Sequence, residues 1–502
     1  MKTNKFYISL VLILLMVASC TKDVLEVSST TKISAETFWK TESDAILAID
    51  GVYNSLQGYA SNVLYLDVVA DNAYGNYPWE GFKAIADGTH DVWGPWAIGG
   101  FWRQLFRGIG RANVVIDNID GVDMDEALKT RIKGEATFLR AYFYFTLTDM
   151  YGGVPLILES PKLEHGQLPR DTKEVVVAQI LKDLDAAAGM LPNTQSDVGR
   201  VTKGAAVALK ARVLLYNEKW SEAAQAANQV MGMGYSLNSS YRDIFMEENE
   251  NNQEVIFDAQ YISPDQGNFY ELYIGAIGTG QGWSSIVPLP ELVDDYHMTD
   301  GKSTGDSPLY DANNPYKNRD PRLKQSIFVP GTVANGVPFE NLTTYTGYAF
   351  KKYTPFDETT IVAATPYPTT TGLNVILLRY ADILLMYAEA QNEASGPDAS
   401  VYAALNEIRS RPSVNMPDIP TGLSQSEMRE VIRHERRIEL AMEGLRYSDV
   451  RRWKIAEQVM DGINDPGGTR SFNPARDYLW PIPGAEFDIE GTQLEQNPGY
   501  GN

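Results

Sequence analysis

The stretch Lys203-Gly204-Ala205-Ala206-Val207-Ala208-Leu209-Lys210-Ala211-Arg212-Val213-Leu214-Leu215-Tyr216-Asn217-Glu218-Lys219-Trp220-Ser221-Glu222-Ala223-Ala224-Gln225-Ala226-Ala227-Asn228-Gln229-Val230 decides the fold class. Ala205, Leu209, Val213 and Tyr216 recur at spacings of three and four, which puts them on one helical face. Asn217-Glu218-Lys219 breaks the run as a turn. Trp220, Ala223, Ala224, Ala227 and Val230 then form a second stripe. The alanines let two antiparallel helices approach closely, so the segment predicts a helical hairpin.

The same periodicity recurs on both sides. Residues 43–56, 102–119, 126–151 and 175–188 each carry an amphipathic stripe. Residues 380–393 and 401–411 predict another hairpin. Residues 424–444 open on Ser424-Gln425-Ser426-Glu427, a capping box, and run to Gly444 as a stop. The hairpins have the outline of tetratricopeptide units, without the full consensus at a fixed period. The expected fold is therefore mainly α, a tetratricopeptide-like helical hairpin scaffold with minor β. Val255-Ile256-Phe257 is the candidate strand. Long irregular stretches at about 67–101, 236–377 and 460–502 predict a loop-rich, ligand-binding face.

Lys2 and Lys5 precede an apolar run, 6–18, that is short for a membrane span. Ala18 and Ser19 then lead into Cys20, the only cysteine. This grammar resembles a bacterial lipobox: residues 1–19 as signal peptide, Cys20 as lipid-bearing first residue, residues 20–33 as a lipidated tether. The alternative is an ordinary signal with a chance cysteine. Removing residues 1–19 takes the formal charge from −22 to −24. Such a chain repels nucleic acid and anionic headgroups. With Cys20 acylated, no thiol remains for a disulfide, a nucleophile or a metal.

Four of the nine tryptophans concentrate in one stretch. Trp79, Trp93, Trp96 and Trp102 lie within 24 residues, after Tyr74 and Tyr77, with Asp71 and Asn72 just upstream. Flat rings stack on the C–H faces of sugars, and short carboxylates and amides bind their hydroxyls. Trp79, Trp93, Trp96, Tyr74, Tyr77, Asp71 and Asn72 are therefore the candidate ligand residues, with Trp102 assigned to the core of the following helix. Trp283, in a second loop at 266–283, is a further candidate, and residues 345–367 form a third loop.

Catalysis has little support. His90, His165, His297 and His434 show no metal-ligand spacing. There is no nucleophile elbow, P-loop or dinucleotide fingerprint. A carboxylate pair for glycoside cleavage stays open, because 65 acidic residues offer many pairs. No cofactor or metal is expected.

Further strings carry a resemblance. Arg140-Ala141-Tyr142-Phe143-Tyr144-Phe145 precedes Tyr151-Gly152-Gly153-Val154-Pro155-Leu156 and Leu168-Pro169-Arg170. Gly199-Arg200-Val201-Thr202 opens the alanine-rich hairpin. Far downstream come Leu378-Arg379-Tyr380-Ala381-Asp382, His434-Glu435-Arg436-Arg437-Ile438-Glu439-Leu440, Gly444-Leu445-Arg446-Tyr447-Ser448-Asp449 and Tyr478-Leu479-Trp480-Pro481-Ile482-Pro483. In this order the strings resemble the SusD/RagB family of Bacteroidetes outer-membrane lipoproteins, over essentially the whole mature chain. The resemblance implies an N-terminal helical portion at 34–235 and a C-terminal portion at 236–502, together one compact unit. It implies an outer-membrane, lipid-anchored protein facing the cell exterior. Its expected partners are an oligosaccharide and a SusC-like TonB-dependent transporter, with no nucleic acid. A peptide-binding lid of the same family is the alternative, and a glycoside hydrolase a more distant one. Lys22-Asp23 matches the outer-leaflet signal only in part. Arg379, Asp382 and Glu389 are expected to pair with Arg436, Glu439 or Arg446 inside the scaffold, not with ligand.

Overall fold

The computed structural model describes residues 38–280, 282–358, 361 and 370–501. Cys20, the leader, the tether and residues 362–367 of the third loop lie outside them.

Thr41 starts the first helix with a capping box, its hydroxyl accepting from the Asp44 N–H while the Asp44 carboxylate accepts from the Thr41 N–H. Eight long helices then pair as hairpins in chain order. They are α1 (Glu42–Ala60), α2 (Trp96–Asn118), α3 (Glu126–Tyr151), α4 (Lys173–Met190), α5 (Lys203–Tyr216), α6 (Trp220–Met231), α7 (Tyr380–Ser395) and α8 (Ala399–Arg409). Each packs on the next, and α6 packs on α7 although 148 residues separate them in sequence. The scaffold is therefore a stack of hairpins with the segment between α6 and α7 inserted into it. Close approach has a local cause at Gly108 of α2: a Cβ there would sit 2.4 Å from the Phe143 ring of α3.

The turn between α5 and α6 falls where the sequence placed it, with Glu218 at φ 58. The Ser424 capping box is also present, opening α9 (Gln425–Glu439). That helix ends five residues before Gly444, the expected stop. Met442 takes φ 64, and the Asp67 carboxylate accepts from the N–H groups of Met442 and Gly444, turning the chain away from the helix. A short helix, α10 (Arg446–Arg452), follows.

Four strands matter for the site: β1 (Ala73–Gly75), β2 (Val255–Ala259), β3 (Ile286–Pro288) and β4 (Val375–Arg379). The expected strand at 255–257 is β2, paired antiparallel with β4 through a bulged register from Val255↔Arg379 to Ala259↔Val375. β1 pairs with β3, Tyr74 opposite Val287. That pairing draws the loop after α1 against the insertion. One hydrophobic cluster runs from Ala45 to Ile482, with the Trp480 indole fully buried.

Under the loops lies an ionic network. Glu439 of α9 accepts from Arg322, Arg379 and Arg411, all at 2.8–2.9 Å and nearly inaccessible to water. Arg379 also binds Glu254 and Glu443, and Arg436 bridges Asp382 and Asp449. Thus Arg379 and Asp382 find the expected partners, whereas Glu389 pairs with Arg452 and the Trp453 indole. Burial opposes ionisation of Glu439, yet the three guanidinium groups hold its carboxyl well below the usual range.

Candidate carbohydrate-binding face

The aromatic loop is set by the two elements that flank it. β1 fixes its start, and the Asn76 N–H continues the pairing by donating to the Ser285 carbonyl. Its end is the N-terminus of α2, where Trp96 is the first residue. Between them, Gly81 adopts φ 83, and a Cβ there would collide with the Trp96 indole at 2.6 Å. The turn therefore brings backbone and ring together as only glycine permits.

Trp79, Trp93 and Trp96 are 71%, 65% and 50% exposed, and they are the three exposed tryptophans among the described residues. Each is nevertheless held. The Trp79 ring stacks on Tyr77 at 4.5 Å and 21°. The Trp96 Nε1–H donates to the Trp79 carbonyl at 3.0 Å, and its ring meets Phe82 edge-on at 5.8 Å. Phe82 in turn stacks on buried Tyr65 at 4.6 Å. Trp93 lies over Gly484, where a Cβ would come within 2.7 Å of the indole. The Asp91 carboxylate accepts from the N–H groups of Trp93 and Gly94 and fixes that turn. Rings pinned before ligand arrives lose little freedom on binding.

The Tyr77 hydroxyl donates to the Trp283 carbonyl at 3.1 Å, so the second loop joins this face. The half-buried Trp283 ring lies 6.4 Å from Tyr273. Burial, then the neighbouring Tyr345 phenol, pushes the Tyr77 pKa above its ordinary value. Tyr345 brings in the third loop. Behind Trp79, burial raises the Glu80 carboxyl, and the nearby Ser285 and Tyr65 hydroxyls oppose the rise. Glu80 and Tyr273 lie within the two candidate loops but carry no signal of their own that singles them out in the sequence.

Three expected site residues are corrected. Asp71 and Asn72 are 2% and 0% exposed. Both Asp71 oxygens bind Arg446, at 2.7 and 2.8 Å, and Arg437 lies 3.0 Å away. Burial opposes charge on Asp71, but the two arginines hold it ionised, well below the usual carboxylate range. Asn72 donates to Asp67 and accepts from Arg437. Tyr74 is 5% exposed, packed in a small cluster with Val287, Leu289 and Ile463. These side chains form the floor of the loop. Trp102 is core, as expected.

The histidines stay apart from this face in role. His90 bonds Tyr500, His165 bonds Glu159, and His297 stacks on His434 at 3.8 Å. Among the described residues no group of acidic, histidine or cysteine side chains could hold a metal ion, and no helix is long and apolar enough to cross a membrane.

Comparison with known proteins fits this architecture. A family model described as the SusD family matches residues 243–500, and one described as starch-binding associating with outer membrane matches residues 23–215. A SusD-like protein of Formosa agariphila is 28% identical over 529 residues, covering 96% of this chain and 97% of its own. A SusD-like protein of Bacteroides fragilis superposes with a TM-score of 0.81 at 29% identity, over 93% of this chain and 98% of that one. A laminarin-binding SusD-like protein superposes with a TM-score of 0.75 at 28% identity, over 92% and 100%. The chain belongs to the SusD/RagB family, a mainly α-helical family associated with the outer membrane.

Proposed function

We propose that this protein is a cell-surface lipoprotein that captures oligosaccharide on the face built by Tyr77, Trp79, Trp93, Trp96 and Trp283, and passes it to a SusC-like TonB-dependent transporter. The observation that carries the reading is the convergence of the exposed tryptophans on one helix entry. Exposed indoles at one spot are costly in water unless something covers them. Their flat faces, flanked by hydroxyl and carboxyl groups, match the alternating apolar and polar surfaces of a sugar chain. The names of two relatives agree in ligand class: one is laminarin-binding, and a Bacteroides thetaiotaomicron relative, 27% identical over 43% of each chain, is starch-binding.

Binding without catalysis is the reading for the reaction class. Near the aromatic face Glu80 has a carboxyl raised by burial, as a general acid would need, but the candidates to act with it are engaged: Asp71 is neutralised by two arginines, Asp91 caps backbone N–H groups and Asp87 binds Lys83. That leaves poor material for a general acid and a nucleophile across a glycosidic bond. Portions 34–235 and 236–502 act as one unit in this account, a reading supported by the pairing of β1 with β3. Acylation at Cys20 would tether the lid beside its transporter and raise the local concentration of captured sugar.

Titration calorimetry against laminarin, starch, other neutral and charged polysaccharides, and a peptide library tests the ligand class. Binding to at least one glycan, without product release, is expected; binding to peptides alone overturns the reading. Cys20→Ala is expected to release the protein from the outer-membrane fraction, and retention there would contradict the anchor.

A further inference from the structure

Further along α2 from Trp96 lies a groove of about 410 Å³. Its walls are apolar, from Trp102, Phe106, Pro155, Ile157, Leu168 and Leu494. Arg103 and Arg107 also line it, and both are exposed. They lie on the helix face that carries Trp96, Gly99 and Gly100: positions 96, 100, 103 and 107 follow the spacing of one stripe. Arg103 reaches back toward Gly99, which also faces Pro483, and Pro483 adjoins the Gly484 under Trp93. Trp96 and Arg107 are eleven residues apart, roughly 16 Å along the helix axis. One extended ligand could touch both.

The two arginines are exceptional in this chain. The sequence has 23 arginines. All the others hydrogen-bond or ion-pair with protein groups, including fully buried ones such as Arg322, Arg379, Arg411 and Arg436. Arg103 and Arg107 have no hydrogen bond or ion pair among the described residues. Four residues apart on one helix, they repel each other. This occurs in a protein with formal charge −22, where carboxylates to neutralise them are abundant. Other charges reach the groove. Burial raises the Glu486 carboxyl above its ordinary value; a hydrogen bond from the Trp102 indole and, more weakly, the charge of Arg103 oppose the rise. His165 bonds Glu159, which is itself paired with Lys162. None of these engages Arg107.

The geometry points to a second subsite, in which Arg103 and Arg107 bind an anionic substituent, a carboxylate or a sulfate ester, on the glycan stacked at Trp96. This rests on the glycan-binding reading above and narrows its ligand class to acidic polysaccharide. A planar guanidinium donates two parallel N–H groups to such an oxyanion. The spacing along α2 sets the anion a few sugar units from the stacked ring.

The test uses the lipid-free protein with paired probes: polygalacturonate and alginate against their carboxyl-reduced forms, and a sulfated galactan against its desulfated form. Calorimetry at low and high salt is compared for wild type, Arg103→Ala/Arg107→Ala and Trp96→Ala. The expected result is at least a tenfold preference for one charged probe, weakened by salt and lost in the double-arginine variant. The carboxylate and sulfate pairs identify which anion is taken. Trp96→Ala should weaken both members of a pair alike. Equal affinity for every charged and neutral pair, or a preference untouched by Arg103→Ala/Arg107→Ala, overturns the subsite and leaves the glycan reading standing. Absence of binding to any glycan overturns both. Both arginines are exposed, so an unchanged melting temperature of the double variant shows that it folds.

Discussion

The ionic network around Glu439 and the aromatic face around Trp96 use opposite physics. In the first, charges are buried and multiply paired: Glu439 is 0% exposed and accepts from three guanidinium groups. In the second, large apolar rings stand in solvent, held by one indole hydrogen bond, a stack and glycine seats. Several of the strings that carry the resemblance lie in buried ionic contacts of this kind: Arg379, Asp382, Arg436, Glu439, Arg446 and Asp449 are all buried. They build the scaffold. The second region carries no such string, and its side chains can vary without disturbing the network. On the proposed reading, the residues that carry the family resemblance are not those that meet the ligand.

That separation can be broken from either side. The largest effect is expected at Glu439. Glu439→Gln leaves three buried arginines short of one carboxylate charge and should cost about 3–5 kcal/mol of stability, read from denaturant unfolding. A loss below about 1 kcal/mol would mean that the network is redundant. Trp96→Ala comes next. It should weaken glycan binding by about 2 kcal/mol, roughly thirty-fold, while moving stability much less, since the ring is half in solvent.

How far each region could be read from sequence follows the same divide. Periodic segments such as α3, α5 and α6 were legible because their stripes are local. So was the Ser424 cap. β4 was not, because Val375–Arg379 is a short, fully buried apolar run that merges with the helix after it. The end of α9 was hidden as well: it depends on Asp67, 375 residues upstream of Met442. Within the site, composition identified the exposed tryptophans. It misplaced Asp71 and Asn72, because short polar residues beside aromatics look the same whether they face a sugar or an arginine. Arg437 and Arg446, which bury them, lie more than 360 residues away. The proposed subsite at Arg103 and Arg107 does not stand out, because the periodicity of α2 draws attention to its apolar stripe; two like charges four apart on another face are the only signal.

Smaller effects sharpen the comparison. Burial, then charge repulsion from neighbouring His434, lowers the His297 pKa from 6.5 to about 4; nearby Asp295 raises it and Arg409 lowers it further. His297 is thus neutral in the folded state, and its contribution is present above pH 6.5 and lost as pH falls toward 4. Asp67 works the other way: burial raises it to about 6, so its contribution grows as pH falls through 6. His297→Gln should therefore flatten the fall in melting temperature between pH 6.5 and 4.5, by under about 1 kcal/mol given the partial exposure of the ring. An unchanged pH profile would remove His297 from the account. The smallest effect is expected at Gly484→Ala, whose new methyl would lift the Trp93 indole. About a threefold loss of glycan affinity, roughly 0.6 kcal/mol, is expected in calorimetry, with the melting temperature nearly unchanged. Unaltered affinity would place Trp93 outside the ligand path.

The central claim is that the exposed tryptophans bind glycan and do not hold the fold together. It is tested most directly by measuring polysaccharide affinity and thermal unfolding on one variant, Trp79→Ala/Trp93→Ala/Trp96→Ala, beside wild type. The account predicts an affinity loss of at least about a hundredfold with a melting temperature within about 2 °C. Wild-type affinity in a folded triple variant would contradict it.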